Sequence, residues 1–68
     1  MKISARNQLR GTVQSITRGE AIANVSLDVA GQRLVASITV EAVEDLGLSE
    51  GSEVTAVIKA SDVMLATG

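Results

Sequence analysis

Regular alternation of apolar and polar residues in the middle of the chain predicts two β-strands. In the first strand the polar residues Asn24, Ser26 and Asp28 separate apolar ones, so that the two kinds occupy opposite faces. The apolar face comprises Ala21, Ala23, Val25, Leu27 and Val29. The second strand repeats the pattern with Leu34, Ala36, Ile38 and Val40. Between them Ala30-Gly31-Gln32 contains a glycine that can take positive φ, which predicts a hairpin.

Weaker patterns predict three further strands and one helix. Residues 8–17 form a strand whose alternation slips near Gly11, where we expect a β-bulge or strong curvature. Residues 41–47 form one or two helical turns, with Gly47 ending the helix in the left-handed conformation. The inward residues of that helix are Ala42, Val43 and Leu46. The last two strands are predicted over 54–59 and 63–66.

Three strands, a short helix and two more strands are the order of a small all-β protein, a five-stranded OB-fold-like Greek-key barrel with the helix between strands 3 and 4. An SH3-like barrel is the nearest alternative. The 68 residues are enough for a single domain, 1–68, and too few for two cores.

The amino-acid composition argues against most kinds of covalent cross-link, metal site and catalytic site. The chain has no histidine, cysteine, tryptophan, tyrosine, phenylalanine or proline. Disulfides are therefore excluded, a zinc site is nearly so, and the usual catalytic base is missing, so we expect a protein that is not an enzyme. A small, 46% hydrophobic domain without such supports is expected to bury apolar surface against copies of itself.

The net charge and the first residues of the chain limit the kinds of partner and the cellular compartment that we expect. A net charge of −2 and the lack of aromatic side chains argue against nucleic-acid binding, because such surfaces combine a basic groove with stacking platforms. The first residues contain no secretory h-region, and no apolar run approaches the roughly 18 residues of a membrane span. We therefore expect a cytoplasmic protein with neither nucleic acid nor membrane as partner.

Polar residues near the predicted strand ends are suited to binding a tetrahedral oxyanion, which needs amides, hydroxyls and one or two cations. Each also has an ordinary structural interpretation: Ser4 and Asn7 as turn residues, Lys59 as a surface charge, Ser61 as a local cap. It is their grouping that favours anion binding. The candidates are Ser4, Arg6, Asn7, Thr39, Lys59, Ala60 and Ser61.

The opening Ser4-Ala5-Arg6-Asn7-Gln8-Leu9, followed by Gly11 and Val13, resembles that of the molbindins, the small molybdate-binding Mop proteins. Further similar stretches are residues 37–39, 43–48, 50–51 and 57–64. The resemblance therefore covers essentially the whole chain. It implies a hexamer, assembled as a trimer of dimers of OB-like subunits, which binds molybdate or tungstate between subunits.

The resemblance also implies a set of ligands. One class of site would join Ser4, Ala5, Arg6 and Asn7 of one chain to Lys59, Ala60 and Ser61 of another, and Thr39 matches a hydroxyl used by related domains. A second site on the three-fold axis would lie near Gly19, Glu20 and Ala21. The expected function is intracellular molybdate storage. An oligomerisation or regulatory module in which the oxyanion is mainly structural remains open, with a nucleic-acid module as a third possibility.

Overall fold

One antiparallel sheet of four strands forms the frame of the computed structural model, which describes residues 3–68. The strand order across the sheet is β3-β2-β1-β4. A short helix, α1, connects β3 to β4, and a 3-10 turn follows β4. The bounds are β1 Asn7–Arg18, β2 Ile22–Val29, β3 Gln32–Thr39, α1 Val40–Asp45, β4 Glu53–Ile58 and the turn Ala60–Asp62. No helix in this part of the chain is long and apolar enough to cross a membrane.

Strand β1 is twelve residues long and changes partner near its middle. Its first half pairs with β4, from Asn7 opposite Ile58 to Thr12 opposite Glu53. Its second half pairs with β2 and ends with Arg18 opposite Ala23. Apolar residues of β1, β2 and β4 pack in one core, among them Val13, Val25 and Ala56.

The predicted bulge exists, but it lies further along β1 than the sequence indicated. The register with β2 shifts between Val13 and Ser15, which makes Gln14 the extra residue. The shift lets both Val13, which is buried, and the half-buried Ile16 contribute to the core. Gly11 has another role: a Cβ there would lie 2.8 Å from the carbonyl oxygen of Asp28. The glycine therefore permits the close approach of β2.

The predicted hairpin between β2 and β3 is confirmed, and its turn has two residues. Val29 lies opposite Gln32, while Ala30 and Gly31 take positive φ of 50° and 84°. Two successive positive φ values are the signature of a type I′ turn, whose twist matches that of the flanking strands. Ala30 is the less usual residue here, since a side chain disfavours this conformation.

Helix α1 closes one end of the core. The Thr39 hydroxyl oxygen accepts the N–H of Ala42 at 3.0 Å at the start of the helix. Gly47 takes the predicted left-handed conformation, at φ 63°. Gly47 and Leu48 donate to the carbonyls of Glu44 and Val43, which makes this a Schellman ending. Of the three residues predicted to face inward, Val43 is buried and Ala42 half-buried, but Leu46 is 68% exposed because it lies at the C-terminal cap.

The last predicted strand is the main difference from expectation. Residues 63–66 have no regular secondary structure, so the described chain contains four strands, and a five-stranded Greek-key barrel is not confirmed. Met64 and Leu65 are 92% and 93% exposed. A strand needs an adjacent edge with which to exchange backbone hydrogen bonds, and this segment does not lie beside one within its own chain.

Candidate functional site

Two of the predicted segments meet where the β1–β4 ladder begins. The ladder starts with Asn7 opposite Ile58, so Arg6 and Lys59 are the first residues beyond it on either strand. Ser4, Arg6, Lys59 and Ser61 are exposed, while Ala5 and Asn7 are half-buried. We call this region, residues 4–7 with 59–61, the ladder end. Its two segments adjoin within a single chain, which the sequence alone did not indicate.

The cations of the ladder end differ from most others in having no partner among the described residues. Arg10 forms an ion pair with Glu53 at 3.6 Å, and Arg33 donates from Nε to the Ser26 hydroxyl at 3.0 Å. Within residues 3–68, Arg6 and Lys59 take part in no such bond. Two free positive charges at adjoining strand ends attract a small anion, and the nearby hydroxyls of Ser4 and Ser61 can donate to it.

Backbone donors at the ladder end come from the 3-10 turn. Asp62 donates to the carbonyl of Lys59 at 2.9 Å, and Val63 donates to that of Ala60 at 3.2 Å. The bonded amides are thus those of Asp62 and Val63. The N–H groups of Ala60 and Ser61 begin the turn and have no carbonyl within the turn to bond to. The Asp62 carboxylate lies on the same turn and opposes an anion there.

Thr39 lies far from the ladder end within one chain. It is opposite Ile22 in the β2–β3 register, and the following residue, Val40, donates to the carbonyl of Ala21 at 2.8 Å. This position is at the end of β1 that carries Arg18 rather than Asn7. The structure therefore groups Thr39 with the second candidate site, not with the first.

The second candidate site, which we call the turn end, consists of Gly19, Glu20 and Ala21 between β1 and β2. Gly19 donates to the carbonyl of Ile22 at 2.8 Å, so its amide is already used. Arg18 adds an exposed cation that the sequence analysis did not single out, and Glu20 adds a carboxylate that repels anions. The ladder end is thus better equipped to bind an anion than the turn end.

The described residues hold no group of three or more side chains of the kinds His, Cys, Asp and Glu that could ligate a metal ion. The ladder end offers donors and positive charge instead of metal ligands. Such an arrangement suits an anion as a whole, held through its oxygen atoms.

Comparisons with known proteins agree with this chemistry. The TOBE domain family model matches residues 3–65. "Molybdenum-pterin-binding protein 3" of Clostridium pasteurianum is 52% identical over 66 residues, which cover 96% of this chain and 97% of the relative.

Two solved structures are also similar over nearly the whole chain. A molybdate-binding protein from Sporomusa ovata is 43% identical with a TM-score of 0.94, covering 98% of this chain and 100% of its own. The cytoplasmic molybdate-binding protein ModG, solved with molybdate bound, is 39% identical with a TM-score of 0.84, covering 96% of this chain and 53% of its own. The shared fold and the free cations point to the same class of ligand.

Proposed function

The chain belongs to the TOBE domain family, and from this premise we propose that it binds molybdate at the ladder end, between subunits of a homohexamer, and stores it in the cytoplasm. The single observation that carries the proposal is the meeting of Arg6 and Lys59, both without a partner among residues 3–68, beside the first β1–β4 pair. The relatives named for molybdenum or molybdate identify the oxyanion. We assign the protein no catalytic role.

The ligand of this chain is the bare oxyanion rather than a pterin complex. Although one relative is named for molybdenum-pterin, a pterin ring is a flat aromatic system that proteins bind by stacking and by burial in an apolar cleft. This chain has no aromatic residue to stack on it. The ladder end supplies cations, hydroxyls and amides on an exposed surface, which suit a small tetrahedral anion.

The exposure of the ladder end supports intersubunit binding. Exposed cations remain solvated, and charge-assisted bonds in water are weak, whereas covering the site with a second subunit removes solvent and adds donors. The Thr39 hydroxyl of a neighbouring copy is a suitable added donor, since within one chain Thr39 is too far away. Because ligand and assembly then share an interface, occupancy stabilises the oligomer.

The ligand should be selected mainly by size. Molybdate, tungstate and sulfate share a charge of −2 and a tetrahedral shape, so hydrogen bonds and charge alone hardly distinguish them. Tungstate is so close to molybdate in size that we expect both to bind. Sulfate is smaller and would leave some donors too distant for good hydrogen bonds.

Calorimetric titration of the apo-oligomer with molybdate tests the proposal, with tungstate and sulfate as parallel ligands. We expect saturable binding of the first two and much weaker binding of sulfate. No heat at micromolar protein, with the oligomer intact, would refute molybdate binding.

The alternative, that the oxyanion is chiefly a structural bridge, predicts a different result. Dialysis to remove the anion, followed by light scattering, would then yield monomers, whereas a store should keep its oligomer and rebind molybdate.

A further inference from the structure

Asp62 is the only acidic residue in the two stretches of chain, 3–11 and 54–62, that form the ladder end and the strand pairs next to it. The cations of the ladder end are Arg6 and Lys59. A carboxylate beside two cations can neutralise one of them, and a carboxylate beside a bound anion repels that anion. The contacts of Asp62 show which of these two effects it exerts.

The turn after β4 holds Asp62 close to Lys59. The Asp62 N–H donates to the carbonyl of Lys59 at 2.9 Å, and Val63 donates to that of Ala60 at 3.2 Å. The first bond closes a four-residue turn, whose end residues have Cα atoms within about 7 Å of each other. An anion that contacts Lys59 and Ser61 therefore has the Asp62 charge roughly one Debye length away, which is ~8 Å at physiological ionic strength.

The Asp62 carboxylate has no bonded partner among residues 3–68. The ion pair found in this part of the chain joins Arg10 to Glu53, and no side-chain hydrogen bond there involves Asp62. The side chain is exposed, although Lys59 is near it in the turn. Asp62 therefore does not neutralise Lys59, and its negative charge remains uncompensated beside the candidate site.

The structure of the turn does not require an acidic residue at this position. Acidic side chains in the first turn of a helix interact favourably with its N–H groups, but this effect depends on a run of aligned peptide dipoles. The turn has three residues, Ala60–Asp62, and its bonds are made by backbone groups that any residue except proline supplies. What an aspartate adds at position 62 is its charge.

We propose that Asp62 weakens oxyanion binding at the ladder end by electrostatic repulsion, and thereby keeps the affinity in a range that lets a store release its ligand. This inference rests on the proposed function. Arg6 and Lys59 would balance both charges of a dianion, but residues 4–7 and 59–62 together carry one net positive charge, from two cations and one carboxylate. Neutral hydroxyl and amide donors must therefore supply more of the binding than the two cations alone would indicate.

Asp62→Asn tests the proposal, because it removes the charge and keeps the shape of the side chain. Calorimetric titration with molybdate should give an affinity about three- to tenfold higher than that of the wild-type chain, as expected for a dianion and a single charge roughly 7–10 Å apart in largely aqueous surroundings. Thermal unfolding without oxyanion should not change, since the side chain forms no bond in the described chain.

Glu50→Gln is the matched control. It also removes one exposed negative charge without breaking an ion pair among the described residues, but it lies before β4, at the opposite end of that strand from Asp62. It should leave the molybdate affinity unchanged within about twofold. An equal gain of affinity in both variants would assign the effect to the net charge of the protein and would overturn the proposal.

Ionic strength separates repulsion from a change in the shape of the turn. The Debye length falls from about 30 Å at 0.01 M salt to about 3 Å at 1 M. The ratio of the Asp62→Asn affinity to the wild-type affinity should therefore approach one as potassium chloride is raised over this range. A constant ratio, or weaker binding by Asp62→Asn than by the wild type, would mean that Asp62 shapes the turn and would overturn the proposal.

The same titrations distinguish failure of this inference from failure of the proposed function. If the wild type and Asp62→Asn both give no heat with molybdate while the oligomer is intact, the proposed function is wrong. If both chains bind molybdate with equal affinity, molybdate binding stands and the role that we assign to Asp62 is wrong.

Discussion

The two ends of β1 carry similar residues and differ in what their backbones leave free. At the ladder end, Arg6 and Lys59 adjoin a 3-10 turn whose first amides have no carbonyl within the turn to bond. At the turn end, Arg18 adjoins Gly19, whose amide already donates to Ile22, and Ala21, whose carbonyl already accepts from Val40. Both ends have an exposed cation, but only the first combines two cations with free amides. The second cation at the ladder end, together with the bonded Gly19 amide at the turn end, makes the ladder end the better candidate anion site.

The largest expected effect comes from removing the cations of the ladder end. Arg6→Ala and Lys59→Ala should each weaken molybdate binding about ten- to a hundredfold, since a hydrogen bond to a charged group contributes roughly 1.5–3 kcal/mol. Both side chains are exposed and without partners in the described chain, so the fold should survive. Calorimetric titration measures the loss.

Arg18→Ala is the matched control for those two variants, because it removes an exposed arginine from the other end of the same strand. It should leave the affinity unchanged within about twofold. If Arg18→Ala weakens binding as much as Arg6→Ala, the turn end contributes to the site, in the same chain or from the neighbouring copy that presents Thr39, and the contrast between the two ends is wrong.

A substitution of Gly11 measures how much the close approach of β2 to β1 contributes to stability. In Gly11→Ala the new methyl would lie 2.8 Å from the Asp28 carbonyl oxygen and 2.9 Å from Cγ2 of Val29. Overpacking of this kind typically costs about 1–3 kcal/mol, and we expect a corresponding drop in the free energy of urea unfolding.

Gly19→Ala is the comparison at the turn end, where the methyl would be 2.9 Å from one carbonyl, that of Ile22, in an exposed turn. Gly19→Ala should lower the free energy of unfolding by less than Gly11→Ala does, because an exposed turn can shift more readily than two paired strands at Gly11. A greater loss of stability in Gly19→Ala than in Gly11→Ala would show that the turn is more rigid than the contact between β1 and β2 at Gly11.

Thr39→Ala removes the hydroxyl that accepts the Ala42 amide at the start of α1. Loss of such a cap lowers stability by about 1 kcal/mol, which thermal unfolding would detect, and Thr39→Ser should recover most of it. The molybdate affinities of the same two variants test whether Thr39 also contacts the ligand. If Thr39 of a neighbouring copy reaches the ladder end, the alanine variant binds more weakly than the serine variant; equal affinities would limit Thr39 to capping.

The smallest effect is expected far from both candidate sites, at the hairpin turn. Ala30 has a positive φ of 50°, which asparagine tolerates better than alanine. Ala30→Asn should therefore raise the free energy of unfolding by about 0.5 kcal/mol without altering molybdate binding. A decrease in stability would contradict the type I′ assignment.

Local patterns predicted the hairpin and the end of α1, because each depends on residues close in sequence. Alternation predicted the core faces of β2 and β3, and Gly47 predicted that the helix ends in the left-handed conformation. The bulge was misplaced because glycine carries no side chain: Gly11 gives no sign of which face it is on, so the slip could be assigned anywhere between Leu9 and Ile16.

Long-range relations were out of reach of the same reasoning. That Arg6 and Lys59 adjoin in one chain follows from the β1–β4 register, which no local pattern encodes. For the same reason Thr39 was grouped with residues at the other end of β1. The apolar alternation of residues 63–66 predicted a strand that the structure does not contain, because a strand forms only where an edge is available, and their own sheet provides none beside them.

The 3-10 turn at Ala60–Asp62 has a consequence for the rates of binding and release. Its two backbone bonds, from Asp62 to Lys59 and from Val63 to Ala60, fix the backbone of the ladder end without a ligand. A site that is already ordered needs little rearrangement to bind, so molybdate should associate rapidly, and variants of the ladder end should differ mainly in how fast they release it.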